Sequence, residues 1–113
     1  MTSFVVSELP RAQDLQFLSE VEGNALFGRF TLLSTRVNNR PVYFNLQLQL
    51  FLYFYRNRDL SLWIVGPTLG SRTGVRYVYD VAGDPCSISS TWTVVIEDIT
   101  VVDSSLRIEC EYA

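Results

Sequence analysis

The chain has no lysine and no histidine, and each absence removes a kind of chemistry. Without histidine it lacks the usual general base at neutral pH and the commonest transition-metal ligand. Without lysine there is no Schiff base and no phosphate-loop lysine. Only two cysteines are present, so a zinc site would have to be completed by carboxylates, a poor match to the usual ligand sets. The chain therefore reads as a non-enzyme, with no catalytic residue, no cofactor and no metal expected. Basic charge is also scarce: nine arginines stand against 12 carboxylates, a net charge of −3. A nucleic-acid binder is expected to carry a basic face. Here a few arginines sit beside aromatics, as in Arg29-Phe30 and Arg76-Tyr77, but these are isolated pairs and read as solvated strand-edge arginines. Long apolar runs are missing too. The longest, Leu50 to Tyr55, falls far short of the ~20 residues of a membrane helix, so no membrane insertion is expected. Met1 to Glu8 carry neither a basic n-region nor a long apolar h-region, and no signal peptide is expected.

What is present is a core. Apolar residues make up 48% of the 113, aromatics 13% and charged residues 19%, which excludes a disordered chain and suffices for one packed domain. The stretch Leu46 to Tyr55 stands out. Leu46, Leu48, Leu50, Leu52 and Phe54 alternate with Gln47, Gln49, Phe51, Tyr53 and Tyr55. In a strand this is one dry face and one mixed face. Periodicity favours one strand along the whole stretch, whereas ordinary strand length favours a hairpin bend at Asn45 to Gln49. Phe51, Tyr53 and Tyr55 on the second face imply that it too is covered, by another sheet or by a partner.

The rest of the chain divides into short extended pieces between turns. Thr2 to Pro10 is an extended lead. Leu15 to Val21 reads as a strand in preference to a helical turn from Arg11 to Phe17, because Glu22-Gly23-Asn24 follows as a turn. Leu26 to Leu33 is a strand interrupted by Gly28, and Val37 to Pro41 is a turn in which two asparagines tolerate left-handed backbone. After the central stretch come a polar turn at Arg56 to Asp59 and a strand from Leu60 to Val65. Leu60, Leu62 and Ile64 share one face of that strand, and Trp63 and Val65 the other. A glycine-bearing loop leads to a strand at Val75 to Tyr79, and Asp80 to Ser90 is irregular. Trp92 to Ile96, a short piece at Ile99 to Val102, and Leu106 to Tyr112 close the chain. Seven to nine short strands with regular turn signals make an all-β protein, a small antiparallel β-sandwich or flattened barrel. Residues 1–14 are the lead and 15–113 a single β domain.

The punctuation carries a resemblance. Asn24 to Gly28, Asn38-Asn39-Arg40-Pro41-Val42-Tyr43, Leu52-Tyr53-Phe54 and Trp63-Ile64-Val65-Gly66 occur in that order. They are followed by Leu69-Gly70-Ser71, Val78-Tyr79, Asp84-Pro85 and Ser90-Thr91-Trp92-Thr93-Val94. In these the chain, from about Leu15 to Cys110, resembles an uncharacterised β-rich module. That module carries Asn-Gly-Arg-Pro-Val-Tyr and Trp-x-Ile-Gly signatures and is often repeated in large proteins of algae, protists and marine invertebrates. Asn39 replaces the module's usual glycine, and Ala25, Leu26 and Phe27 separate Asn24 from Gly28. The resemblance implies a scaffold or binding role and transfers no functional residue.

Few positions qualify as sites. Cys86 and Cys110 read either as a disulfide that staples the irregular segment to the last strand or as two buried thiols. The disulfide would add roughly 3–4 kcal/mol and favour an oxidising or extracellular compartment. Phe51, Tyr53, Tyr55, Trp63 and Trp92 are candidates for an aromatic contact surface, with core packing as the competing reading. Asp80 and Asp84, or Asp98 and Asp103, do not have the spacing of a calcium loop and read as turn carboxylates. The expectation is a non-catalytic interaction or structural module in a larger assembly, with a protein partner or a homo-oligomer. The alternative is an extracellular carbohydrate-binding module using Trp63, Trp92 or nearby tyrosines.

Overall fold

The computed structural model describes residues 11–20 and 28–112. They form nine strands: β1 (Asp14–Leu18), β2 (Gly28–Val37), β3 (Arg40–Asn45), β4 (Leu50–Arg56), β5 (Ser61–Gly66), β6 (Arg76–Val78), β7 (Trp92–Ile96), β8 (Ile99–Asp103) and β9 (Arg107–Glu111). All pair antiparallel in one sheet of order β8-β7-β6-β5-β4-β3-β2-β1-β9, curled into a half-barrel. The all-β expectation and the upper strand count both hold. The lead Thr2 to Pro10 and the turn at Glu22 to Asn24 lie outside the described residues.

The turns explain the strand boundaries. Asn38 and Asn39 stand at φ 51° and 64°, and Val37 pairs with Arg40 across them. That is the left-handed pair a two-residue hairpin requires. Glu97 and Asp98 do the same at φ 47° and 69° between Ile96 and Ile99. Such turns twist their strands in the right-handed sense, which helps the sheet to curl.

The single long strand over Leu46 to Tyr55 does not form; the bend does. The Asn45 side chain accepts the Leu48 N–H at 2.8 Å, and its carbonyl accepts the Gln49 N–H at 2.8 Å. Gln49 takes φ 59°, which reverses the chain so that Leu50 pairs with Asn45. Leu46 is consequently 75% exposed and Leu48 40%, so neither belongs to the dry face. Alternation continued through a turn that one asparagine cap had already closed. The dry face that exists is Leu50, Leu52 and Phe54 of β4.

The concave side of the sheet holds the main core. Leu15, Phe17, Phe30, Tyr43, Leu52, Phe54, Trp63, Val65, Val78, Trp92 and Val94 are almost wholly buried. Curling brings β1 against β7: the Phe17 ring meets Phe30 at 4.8 Å and Trp92, edge-on, at 5.7 Å. The irregular segment at 80–90 crosses the mouth of this concavity. The Ala82 carbonyl accepts both the Trp63 indole N–H and the Arg40 Nε–H at 3.1 Å. Arg40 also lies 4.4 Å over the Phe54 ring. Asp80 accepts backbone N–H groups of Ala82, Ser89 and Ser90, and Asp84 accepts that of Cys86. Both are the turn carboxylates the sequence suggested.

Part of the convex side is covered as well, but by the chain itself. Val42, Tyr53, Leu62 and Ile64 form a second cluster with Leu69 of the loop at 67–75 packed on it. The Tyr53 hydroxyl donates to the Ser71 carbonyl of that loop. Burial pushes the hydroxyl up to about 12. Gly74 permits the approach, because a Cβ there would fall 2.4 Å from the Val65 carbonyl oxygen. A loop of this chain thus provides cover for the aromatic second face of β4.

Candidate functional site

Each expected site residue now has a place. Cys86, in the 3-10 turn Pro85–Ser87, and Cys110 of β9 form a disulfide. It ties the segment across the concave mouth to one end of the sheet. Of the five aromatics proposed as a contact surface, Trp63, Trp92 and Tyr53 are buried, the two tryptophans on the concave side and Tyr53 on the convex. Phe51 and Tyr55 are half-buried in the convex cluster. These five do not assemble an exposed platform: strand alternation sends them to two opposite faces, and each face is packed.

Among the described residues, what remains open is an end of the sheet. β8 and β9 are its two terminal strands, joined by the short connection at 104–106, so the free edges diverge from one corner of the half-barrel. They differ in character. β9 presents exposed Arg107, Glu109 and Glu111 in alternation. Arg107 reaches Glu109 at 3.7 Å, and Arg29 bridges Glu111 at 2.8 Å and Asp14 at 3.0 Å. Charges on an edge strand discourage another strand from pairing there. β8 has no such protection between Ile99 and Val102. Ile99 is 65% exposed, Val101 38% and Val102 68%, and Thr100 is exposed beside them. All four are β-branched, the side chains that favour extended backbone. The stretch has no proline, no charge and no register shift against β7.

Ladder geometry assigns the free backbone groups. Ile96 and Ile99 close a two-residue turn and are thus a hydrogen-bonded pair. Bonded and non-bonded pairs alternate, so Val101 is bonded to Val94, whereas Thr100 and Val102 face Val95 and Thr93 without bonds. The N–H and C=O of Thr100 and Val102 therefore point away from the sheet, offering two donors and two acceptors. Among the described residues no strand takes them.

The edge is anchored rather than frayed. Asp103, the last residue of β8, is buried with Arg76 of β6, whose Nη1 donates to its Oδ2 at 3.2 Å. Ser19 Oγ and Ser105 Oγ each donate to the carboxylate at 2.6 Å, and the Ser105 N–H at 2.9 Å. Burial pushes the Asp103 carboxyl upward, but these hydrogen bonds and the Arg76 charge outweigh it and hold the carboxyl below its usual range. The network corrects the reading of Arg76 as a solvated edge arginine. Its guanidinium is buried and meets a carboxylate 27 residues later in the chain.

A shallow groove lies on the convex side near this end, lined by Leu60, Leu62, Arg72, Tyr77, Tyr79 and Val95, with a volume of about 260 Å³. Tyr77 and Tyr79 meet edge-on at 5.7 Å. No group of three or more potential metal ligands occurs among the described residues, and no helix among them is long and apolar enough to cross a membrane. Comparison with known proteins finds no family model, no curated protein and no solved structure that matches the chain.

Proposed function

We propose that the protein is a non-catalytic interaction module that joins a larger assembly through the β8 edge. The observation that carries this reading is the contrast between the ends of one sheet: β9 is covered with charge, while β8 exposes Ile99, Thr100, Val101 and Val102 with outward backbone donors and acceptors. Sheet edges recognise partners by accepting an extra strand. The expected contact through Phe51, Tyr53 and Tyr55 gives way to this one, because the loop at 67–75 already covers Tyr53. The Cys86–Cys110 disulfide supports an oxidising compartment as the place of assembly, and the repeated-module resemblance fits a scaffold role. Isolation from the source without denaturant tests the reading. A species well above 12.9 kDa supports it, and a clean monomer at every concentration up to millimolar overturns it.

A second reading, an extracellular carbohydrate-binding module, rests on the groove beside Tyr77 and Tyr79, since Trp63 and Trp92 are buried. Its test is titration with a broad glycan panel, following tyrosine fluorescence and melting temperature. A saturable shift lost in Tyr79→Ala supports it, and no shift with any glycan removes it.

A further inference from the structure

We propose that the strand accepted by β8 is the β8 strand of a second copy, paired antiparallel about a two-fold axis at Val101. The inference rests on the reading of β8 as the assembly edge and adds the identity of the partner.

The strand is complementary to itself in one register. Antiparallel pairing keeps matching faces together only if residues of like parity oppose each other. When Val101 opposes Val101 of the second copy, Thr100 opposes Val102 and Ile99 opposes Asp103. The outward groups belong to Thr100 and Val102, so both Thr100–Val102 pairs become hydrogen-bonded, and all four outward groups of each strand are satisfied. Val101 then meets its own counterpart in the closer, non-bonded kind of pair, where side-chain contact is greatest. The turn carboxylate Asp98 falls opposite Ser104, so no acidic pair opposes the join. A shift by two residues toward the turn opposes Thr100 to Thr100 and leaves Val102 against Asp98, losing one of the two bonded pairs. The other edge offers no such apolar join: two β9 strands in the corresponding symmetric register set Glu109 against Glu109 and Arg107 against Glu111, and Glu111 is already engaged by Arg29.

The contact is small. A five-residue strand falls short of the ~1,200–2,000 Å² buried in standard stable interfaces, and each copy carries −3. Pairing is therefore concentration-dependent and not obligate.

Sedimentation equilibrium of the full, disulfide-intact chain from micromolar to millimolar concentration tests this, with melting temperature as the folding control. The wild type is expected to move reversibly from monomer to dimer. Val101→Lys and Val101→Glu, each folded, are expected to be monomeric alone, with at least tenfold weaker self-association, because like charges then meet on the axis. An equimolar mixture of the two is expected to dimerise again. A wild type that stays monomeric at millimolar concentration overturns the inference, as does a dimer that both variants retain. Failure of the mixture to pair excludes the register at Val101 and overturns it as well. The assembly reading itself is judged separately by native mass at source: a heavy species containing other chains, beside a monomeric pure protein, removes the second copy and keeps the module.

Discussion

Asp103 is the residue through which the core and the candidate edge are joined. Its carboxylate is buried against Arg76, Ser19 and Ser105, so removing it breaks a buried ion pair and takes the acceptor from both hydroxyls. Breaking a buried pair on one side typically costs ~3–5 kcal/mol, whereas replacing both members with apolar groups costs far less. Asp103→Ala is thus expected to lose several kcal/mol in urea unfolding, and Arg76→Met with Asp103→Leu to lose less than the single change. The pH dependence follows from the same network. The folded Asp103 carboxyl titrates below the ordinary carboxylate value of ~3.9, so its contribution is fully present above about pH 4. It declines as pH falls toward the folded value. Asp80, held down by three backbone N–H groups against its own burial, adds to the decline with the same sign. Unfolding free energy measured from pH 7 to pH 2.5 is expected to be flat and then to fall below about pH 4, and Asp103→Asn is expected to flatten that fall.

At the scale of the elements, the loop at 67–75 and the strand β8 make opposite demands. The loop must lie close against β5, and Gly74 lets it do so. Gly74→Ala would force apart atoms already in contact and is expected to cost ~1–3 kcal/mol, read as a lower urea midpoint with an unchanged slope. Val101→Lys, on a half-exposed edge position, is expected to leave stability within ~0.5 kcal/mol while altering association. The elements also show what could be read from residues alone. β5, β7 and the Asn38-Asn39 turn were legible because alternation and turn chemistry agree there. The bend at Leu46 to Gln49 was legible only as one of two options: the leucines kept a strand's rhythm, and the cap that ends the strand is a single Asn45 side chain. The edge character of β8 could not be read at all, because Ile99 to Val102 looks the same in the middle of a sheet as at its end. Strand order decides exposure, and strand order depends on pairing between distant segments.

Across the whole molecule, the half-barrel is closed by side chains and one covalent link instead of by a last row of ladder bonds. Cys86–Cys110 encloses a separation of 24 residues and fastens the segment over the concave mouth to β9. By loop-closure entropy it contributes roughly 3–4 kcal/mol. Cys86→Ser with Cys110→Ser is expected to lose about that much in chemical unfolding and to keep the all-β circular dichroism spectrum, since the buried core from β1 to β7 does not pass through the sulfurs. Among the described residues the same incomplete closure leaves two sheet ends, one charged and one bare. With the tryptophans buried and the convex cluster covered, the bare end is where we propose that a partner joins. Its exposure was the part of the candidate site that needed three dimensions, whereas the disulfide was one of the two readings that two cysteines already offered.

The most direct test of the edge as the contact is the native mass of the source-isolated protein beside that of its Val101→Lys form, both without denaturant. A species well above 12.9 kDa is expected for the wild type as concentration rises to millimolar, and a folded monomer for the variant throughout. A wild type that stays a clean monomer at millimolar concentration, or a variant that keeps the wild-type mass, would contradict the edge as the contact.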